Sequence, residues 1–116
     1  MKRTMILIAV LVALTVPMSA GWAMLEQITV AGSSIGFTAA NINQGNGHPQ
    51  ANYATCRVRT AQVSVRWDGG TPTSTVGILV EVGDLIRLDA PWKIVNFRAI
   101  RTTSTSGQLD CLYSED

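Results

Sequence analysis

Residues 56–67 read CRVRTAQVSVRW, and apolar and polar side chains alternate along this stretch. Cys56 and Val58 share one face of the first run, whereas Trp67 and two valines share one face of the second. A period of two residues is typical of a β-strand with one buried face. The apolar phase shifts between the two runs, which predicts a tight turn or bulge near Thr60-Ala61.

The same alternation recurs along the rest of the chain, and helical spacing is absent after the N-terminal segment. Turn residues separate the runs, as in Asp68-Gly69-Gly70 and Val82-Gly83-Asp84. About eight short strands with such turns predict an all-β fold, an antiparallel β-sandwich of jelly-roll-like type. Four further strands are predicted at Gln27–Val30, Ile35–Thr38, Ile78–Val82 and Leu85–Leu88. Another is predicted to begin at Ile94, with Val95, Phe97 and Ala99 on one face. The last is predicted near the C-terminus, with Leu109, Cys111 and Tyr113 on one face.

The N-terminus has the composition of an export or anchor segment. Lys2 and Arg3 precede the uncharged run Met5–Val16, and Pro17 ends that run. A positive start, an apolar stretch and small residues after it are typical of a secretory signal peptide. We therefore expect an exported protein, in the periplasm or outside the cell.

Two interpretations of this leader remain open. Gly21 and Ala23 stand at the −3 and −1 positions that signal peptidase prefers, which predicts that residues 1–23 are removed and residues 24–116 form the β-domain. Alternatively, the leader is an uncleaved membrane anchor helix, since an apolar run of about 20 residues is long enough to cross a bilayer. The protein would then be exported and membrane-anchored.

The net charge argues against polyanionic partners. The 116 residues carry a formal charge of +1, and without Lys2 and Arg3 seven basic residues face eight acidic ones, a net charge of −1. Nucleic-acid binding relies on basic residues that neutralise phosphates, and binding to anionic membranes relies on basic clusters. We expect no nucleic-acid partner, and contact with a membrane only through the N-terminal segment.

Candidate catalytic and ligand-binding residues are few. His48 is the one histidine and lies in the polar loop Asn41–Gln50 without a carboxylate nearby in sequence, so we expect an exposed loop residue. Cys56 and Cys111 with one histidine match no zinc-ligand spacing, and the Asp-Gly turns lack the oxygen ligands that calcium needs. The glycines do not form a phosphate loop. We predict no enzyme, no metal site and no cofactor.

Cys56 and Cys111 both point to the apolar face of their predicted strands. In an exported chain an even number of cysteines usually means a disulfide, which predicts a Cys56–Cys111 bond. In a reducing compartment the same residues would be two separate buried thiols.

The aromatic residues divide into core and surface. Trp67 is in phase with the valines of its strand, which predicts a core position. Trp92 follows Pro91 at a predicted strand entrance, and we expect it to be exposed, like Tyr53. Exposed aromatic side chains can pack against a protein partner or stack on sugars, so Trp92 and Tyr53 are the candidate partner contacts.

Four stretches carry a family resemblance: residues 34–40 (SIGFTAA), 65–73 (VRWDGGTPT), 76–84 (the VGIL and VGD motifs) and 94–101 (IVNFRAIR). In these stretches the chain resembles small β-sandwich proteins encoded among the structural genes of tailed phages and prophages. The resemblance implies a virion-associated accessory protein that decorates or stabilises a particle. It also implies partners that are copies of the chain itself, or a capsid or tail protein, and it supplies no catalytic residues.

The leader departs from that group, whose members begin with a methionine placed like Met24. Either a phage-like domain is exported, or translation starts at Met24, or the leader anchors the protein in a particle with an internal membrane. Two functional hypotheses follow. The first is a structural or assembly protein, and the second is an exported binding module that recognises a surface glycan or protein.

Overall fold

The computed structural model describes residues 22–43 and 49–115, which form seven β-strands and two short helices. Antiparallel pairing joins the strands in two sheets, with orders β1-β7-β2-β5 and β4-β3-β6. The predicted all-β fold is confirmed, and most of the predicted leader, as well as His48, lies outside the described residues. The elements are β1 (Ala23–Val30), α1 (Ala39–Ile42), β2 (Tyr53–Arg59), β3 (Val63–Arg66), β4 (Ile78–Val80), β5 (Leu85–Leu88), α2 (Pro91–Asn96), β6 (Arg98–Arg101) and β7 (Gly107–Ser114).

The core is one hydrophobic cluster that takes residues from both sheets. On β2 and β7 every second side chain is buried, as the two-residue period predicts. Phe37, Phe97 and Tyr113 form its aromatic part: the two phenylalanine rings stack with centroids 4.4 Å apart, and Tyr113 meets Phe37 edge-on at 5.1 Å. Burial of these apolar side chains is the main force that holds the two sheets together.

The change of sheet between β2 and β3 occurs at Thr60. The Ala61 N–H donates a hydrogen bond to the Arg59 carbonyl over 2.9 Å, and Thr60 between them has a φ of +78°. This is a γ-turn of the rare form with a positive central φ. The reversal moves the chain from one sheet to the other and shifts the apolar phase, so the turn predicted near Thr60-Ala61 is confirmed.

We expect Thr60→Gly to raise the unfolding free energy by about 0.5–1 kcal/mol. A β-branched residue at positive φ is strained, and glycine relieves that strain while adding some entropy to the unfolded chain. Urea denaturation measures the change. Thr60→Ala is the matched control, since it keeps a Cβ at the same φ and should give no gain; equal gains from both variants would contradict the explanation.

The strand predicted from Ile94 is wrong in its first part. Residues Pro91–Asn96 form α2, and β6 begins only at Arg98. Pro91 stands in the first turn of the helix, where its fixed φ suits a helix and its missing N–H costs no hydrogen bond. The Ile94 side chain is buried, whereas Val95 is exposed. Six residues are too few to show a helical period in the sequence. The apparent alternation of Val95, Phe97 and Ala99 runs from α2 through its C-terminal cap residue into β6.

The N-terminal strand is longer than predicted. β1 includes Gln27–Val30 but begins at Ala23, which pairs with Ser114 of β7. The Glu115 N–H donates to the Trp22 carbonyl over 3.4 Å, and Trp22 packs against the core cluster. The folded domain therefore includes two residues that the signal-peptide pattern assigned to the leader. The predicted strand Ile35–Thr38 contains only one bridge, between Ile35 and Ala99.

A chain that begins at Met24 should be less stable than one that begins at Trp22. The shorter chain loses the packing of the Trp22 ring and the pairing of Ala23, a loss of about 1–2 kcal/mol. Urea midpoints of the two chains give the difference, and Trp22→Ala in the longer chain separates the contribution of the ring from that of the backbone. Equal midpoints for all three proteins would show that Trp22 adds nothing to the fold.

Candidate functional site

The two cysteines form a buried cross-link inside the four-stranded sheet. Cys56 on β2 lies directly opposite Cys111 on β7, and the two Sγ atoms lie 2.13 Å apart, within disulfide-bonding distance. Both side chains are fully buried. The structure thus brings together the pair predicted from the sequence. A sulfur pair without solvent access serves as a structural cross-link, because thiol exchange requires an approaching thiolate.

A partly buried carboxylate, Glu26, connects three elements. The Tyr113 hydroxyl donates to Glu26 Oε1 over 2.5 Å, and the Thr38 hydroxyl donates to Oε2. The Thr38 N–H also donates to Oε1, over 3.4 Å. Glu26 lies on β1, Tyr113 on β7 and Thr38 just before α1, so the cluster attaches the α1 segment to the sheet.

The hydrogen bonds of this cluster control its ionisation. Burial alone would raise the pKa of Glu26, but the hydrogen bonds from Thr38, Tyr113 and Asn41 outweigh burial and hold that pKa below its ordinary value. Burial, together with the Glu26 carboxylate, raises the pKa of Tyr113. Sequence reasoning missed this cluster. The available signal was the position of Glu26, a charged residue on the same strand face as the buried Ile28.

Strand β4 exposes apolar side chains on a free sheet edge. It pairs with β3 on one side, and no strand of the described residues pairs with its other side. Ile78 and Leu79 are 53% and 56% exposed, and Val76 and Val82, which flank the strand, are 53% and 55% exposed. We call residues 76–82 the β4 edge. The side of the strand Ile78–Val80 that faces away from β3 has no strand partner, and together with these side chains it forms a surface suited to protein contact.

The other three edge strands carry charged residues, whereas β4 carries none. Within residues 22–43 and 49–115, the edge strands are β1 and β5 in one sheet and β4 and β6 in the other. β1 carries Glu26, β5 carries Arg87, and β6 carries Arg98 and Arg101. β4 (Ile78–Val80) carries no charged residue. Charged side chains on an edge discourage pairing with another strand, and β4 lacks this protection.

An apolar groove lies at the start of the β4 edge. Its volume is about 320 Å³, and we call it the Trp67 groove because the half-buried Trp67 forms part of its wall. Arg66 Nε and Nη2 donate to the two carboxylate oxygens of Asp68 over 3.0 and 2.7 Å at its rim. These hydrogen bonds lower the pKa of Asp68 to about 2. The lining is completed by Val76, Gly77 and Ile78.

Glycine at position 77 allows the loop before β4 to pack on β3. Gly77 has a φ of +148°, and a Cβ there would collide with the Ser64 hydroxyl. The Ser64 hydroxyl is buried and donates to the Val76 carbonyl over 3.3 Å. The loop therefore covers the middle of β3 and leaves Val76 and Ile78 at the groove.

The two candidate contact aromatics are exposed, on different elements. Tyr53, at the start of β2, borders a second groove of about 350 Å³ with Arg87 and Asp89. Asp89 accepts a hydrogen bond from Lys93 Nζ over 2.7 Å, and the same ammonium lies 5.6 Å from the ring centroid of Trp92. The Asp89–Lys93 pair thus lies between the Tyr53 groove and the Trp92 ring.

Among residues 22–43 and 49–115, no three His, Cys, Asp or Glu side chains come together in a group that could hold a metal ion. No helix in those ranges is long and apolar enough to cross a membrane.

Comparison with protein-family models finds no match for this chain, and comparisons with curated proteins and with solved structures find none either. The resemblance to phage accessory proteins therefore stays a prediction.

Proposed function

We propose that this protein is a non-enzymatic structural or assembly protein whose two sheets form a jelly-roll-like β-sandwich. It acts by packing against copies of itself or against a capsid or tail protein. The observation that carries the proposal is the β4 edge, in which the strand Ile78–Val80 carries no charged residue and exposes Ile78 and Leu79.

Physical arguments support an assembly role for this surface. A small domain buries a smaller fraction of its surface than a large one, so contacts between molecules add useful stability. An unpaired edge strand offers backbone hydrogen bonds, and exposed apolar side chains gain free energy when they leave water. The near-zero net charge gives little repulsion between copies. Many weak contacts of this kind can act together on a symmetric shell.

In this proposal the protein acts at the surface of a particle. The resemblance to accessory proteins of tailed phages favours a virion component that decorates or stabilises the particle. The leader favours export, and the buried Cys56–Cys111 pair is compatible with an oxidising compartment.

Analytical ultracentrifugation of the full chain over a range of concentrations tests the proposal. We expect reversible association of the unmodified protein, and we expect Leu79→Lys to weaken it at least about tenfold, since a lysine on the edge hinders strand addition. Val95→Lys is the matched control: Val95 is also exposed but lies on α2, so association should persist. A strictly monomeric protein that binds no coat protein would contradict the assembly role.

A second candidate function is an exported binding module for a surface glycan. It is favoured by the Tyr53 groove, where an exposed aromatic ring lies beside Arg87 and Asp89, and by the exposed ring of Trp92. Sugar sites combine an aromatic face with polar groups that bind hydroxyls. A glycan-array signal that Trp92→Ala or Tyr53→Ala removes, without loss of the fold, would support this function over assembly.

A further inference from the structure

The peptide bond at which signal peptidase is predicted to act lies inside the folded domain. The sequence places that bond between Ala23 and Met24. Ala23 is the first residue of β1 and lies opposite Ser114 of β7, and the next residue of β1, Met24, lies one pair further along. Trp22, just before the strand, packs against the core cluster. The predicted cleavage site is therefore part of a paired strand.

Folding and cleavage compete for the same stretch of backbone. Peptidases bind their substrates as extended segments, through backbone N–H and C=O groups on both sides of the scissile bond. In the folded domain β1 pairs with β7, and the Glu115 N–H donates to the Trp22 carbonyl over 3.4 Å. The side chains of Trp22 and Met24, on either side of Ala23, are half-buried. To enter a peptidase, the start of β1 has to leave β7 and expose both side chains to water.

This protection depends on one late strand. Among the strands that the structure describes, β1 pairs with β7 alone, and β7 (Gly107–Ser114) is also the last of them in the chain. Proteins are synthesised from the N-terminus, at about 5–20 residues per second. The bond after Ala23 is therefore accessible until β7 has been made and has paired with β1.

The two cysteines hold β7 in the position that this pairing needs. Cys111 lies opposite Cys56 of β2 on one side and opposite Glu26 of β1 on the other. A bond between the two sulfur atoms fixes β7 to β2, and β7 then presents its other side to β1. Oxidation of the cysteines should therefore stabilise the form in which the cleavage site is paired.

We propose that the folded domain protects the Ala23–Met24 bond from signal peptidase, so that a chain that folds before it is cleaved keeps its leader as a membrane anchor. Residues 5–21 carry no charge, and about 17 apolar residues are the shortest run that crosses a bilayer. A chain that is cleaved first loses Trp22 and Ala23 from its fold and is released. The cleaved and the anchored protein are then two products of one chain, and this holds whether or not the domain assembles.

Incubation of the purified full chain with signal peptidase in detergent tests the protection, and mass spectrometry identifies the N-terminus. A synthetic peptide of residues 1–30 is the reference, because it contains the bond and lacks β7. We expect the peptide to be cleaved after Ala23 and the oxidised full chain to be cleaved at least about 100-fold more slowly, since cleavage must wait for the domain to open. Reduction of the full chain should restore much of the lost rate.

A pair of variants at Glu115 tests the contact beside the bond and leaves the sequence around the bond unchanged. Glu115→Pro removes the N–H that donates to the Trp22 carbonyl, so we expect cleavage about threefold faster than in the unmodified oxidised chain. Glu115→Ala is the matched control, because it keeps the N–H and should leave the rate unchanged.

Three outcomes would overturn the proposal. The first is an oxidised full chain that is cleaved after Ala23 as fast as the peptide, because the fold would then give no protection. The second is a peptide that is not cleaved after Ala23, because the bond would then be no signal-peptidase site. The third is one rate for the oxidised, the reduced and both Glu115 variant chains, because cleavage would then not depend on the pairing of β1.

Discussion

Replacing both Cys56 and Cys111 with alanine is expected to lower the unfolding free energy by about 3–5 kcal/mol. The two residues are 55 positions apart, and the bond between β2 and β7 restricts a long loop of the unfolded chain. Small domains have a low free energy of unfolding, so a loss of this size is a large part of the total unfolding free energy. Urea or thermal denaturation of the double variant and of the unmodified protein measures it.

Alkylation of the thiols tests whether the Cys56–Cys111 disulfide is formed. Thiol alkylation of the non-reduced, denatured protein should leave both cysteines unlabelled, and reduction before alkylation should label both. The unmodified protein under reducing conditions is the matched control for the double variant, because it keeps the sulfur atoms and loses only the bond. Labelling of both cysteines without reductant would show that no bond is present and would remove the basis for the expected loss.

Glu26→Ala is expected to cost about 2–3 kcal/mol of unfolding free energy. The change removes the acceptor of the Tyr113 and Thr38 hydroxyls and leaves the fully buried Tyr113 without that partner. A buried donor without an acceptor costs about 1–3 kcal/mol, and the attachment of α1 to the sheet is lost in addition. Chemical denaturation measures the cost. Glu26→Gln, which keeps one acceptor oxygen, should lose clearly less; equal losses would show that the hydrogen bonds are not the cause.

The same carboxylate makes stability depend on acid pH. The pKa of Glu26 is lower in the folded protein than the ordinary value of 4.5, so the stabilising contribution of Glu26 is complete above that value. The contribution disappears as the pH falls through the folded-state pKa, because protonation then costs the folded state more than the unfolded state. Denaturation midpoints at neutral pH and below pH 4.5 should therefore differ less in Glu26→Gln than in the unmodified protein. An equal difference in both proteins would contradict a special role for Glu26.

The alternation in residues 56–67 determined more than the strand type. Because side chains on a strand alternate between faces, the phase shift near Thr60-Ala61 required a tight turn or a bulge, and the structure has a turn there, at which the chain changes sheets. The same parity placed Cys56 and Cys111 on buried faces. These features are local, since they depend on the chemistry of residues next to each other in sequence.

Other features depended on strand neighbours and could not be predicted from local patterns. Cys56 lies opposite Cys111 because β7 runs between β1 and β2, and the same placement joins Glu26 to Tyr113. The sequence of β4 reads like a central strand, and only the sheet order shows that Ile78–Val80 stands at an edge. Short helices such as α2 are also hidden, because one and a half turns cannot establish a period.

The sequence by itself determined the all-β class, the turn between β2 and β3, and the burial of the two cysteines, because strand periodicity is a property of adjacent residues. Only the tertiary structure decided which strands became neighbours, which residues met across them, and which apolar strand kept a free edge. Strand order and the choice of edge strand depend on pairing between residues far apart in sequence and on burial shared by the two sheets. The pattern of adjacent residues does not determine them.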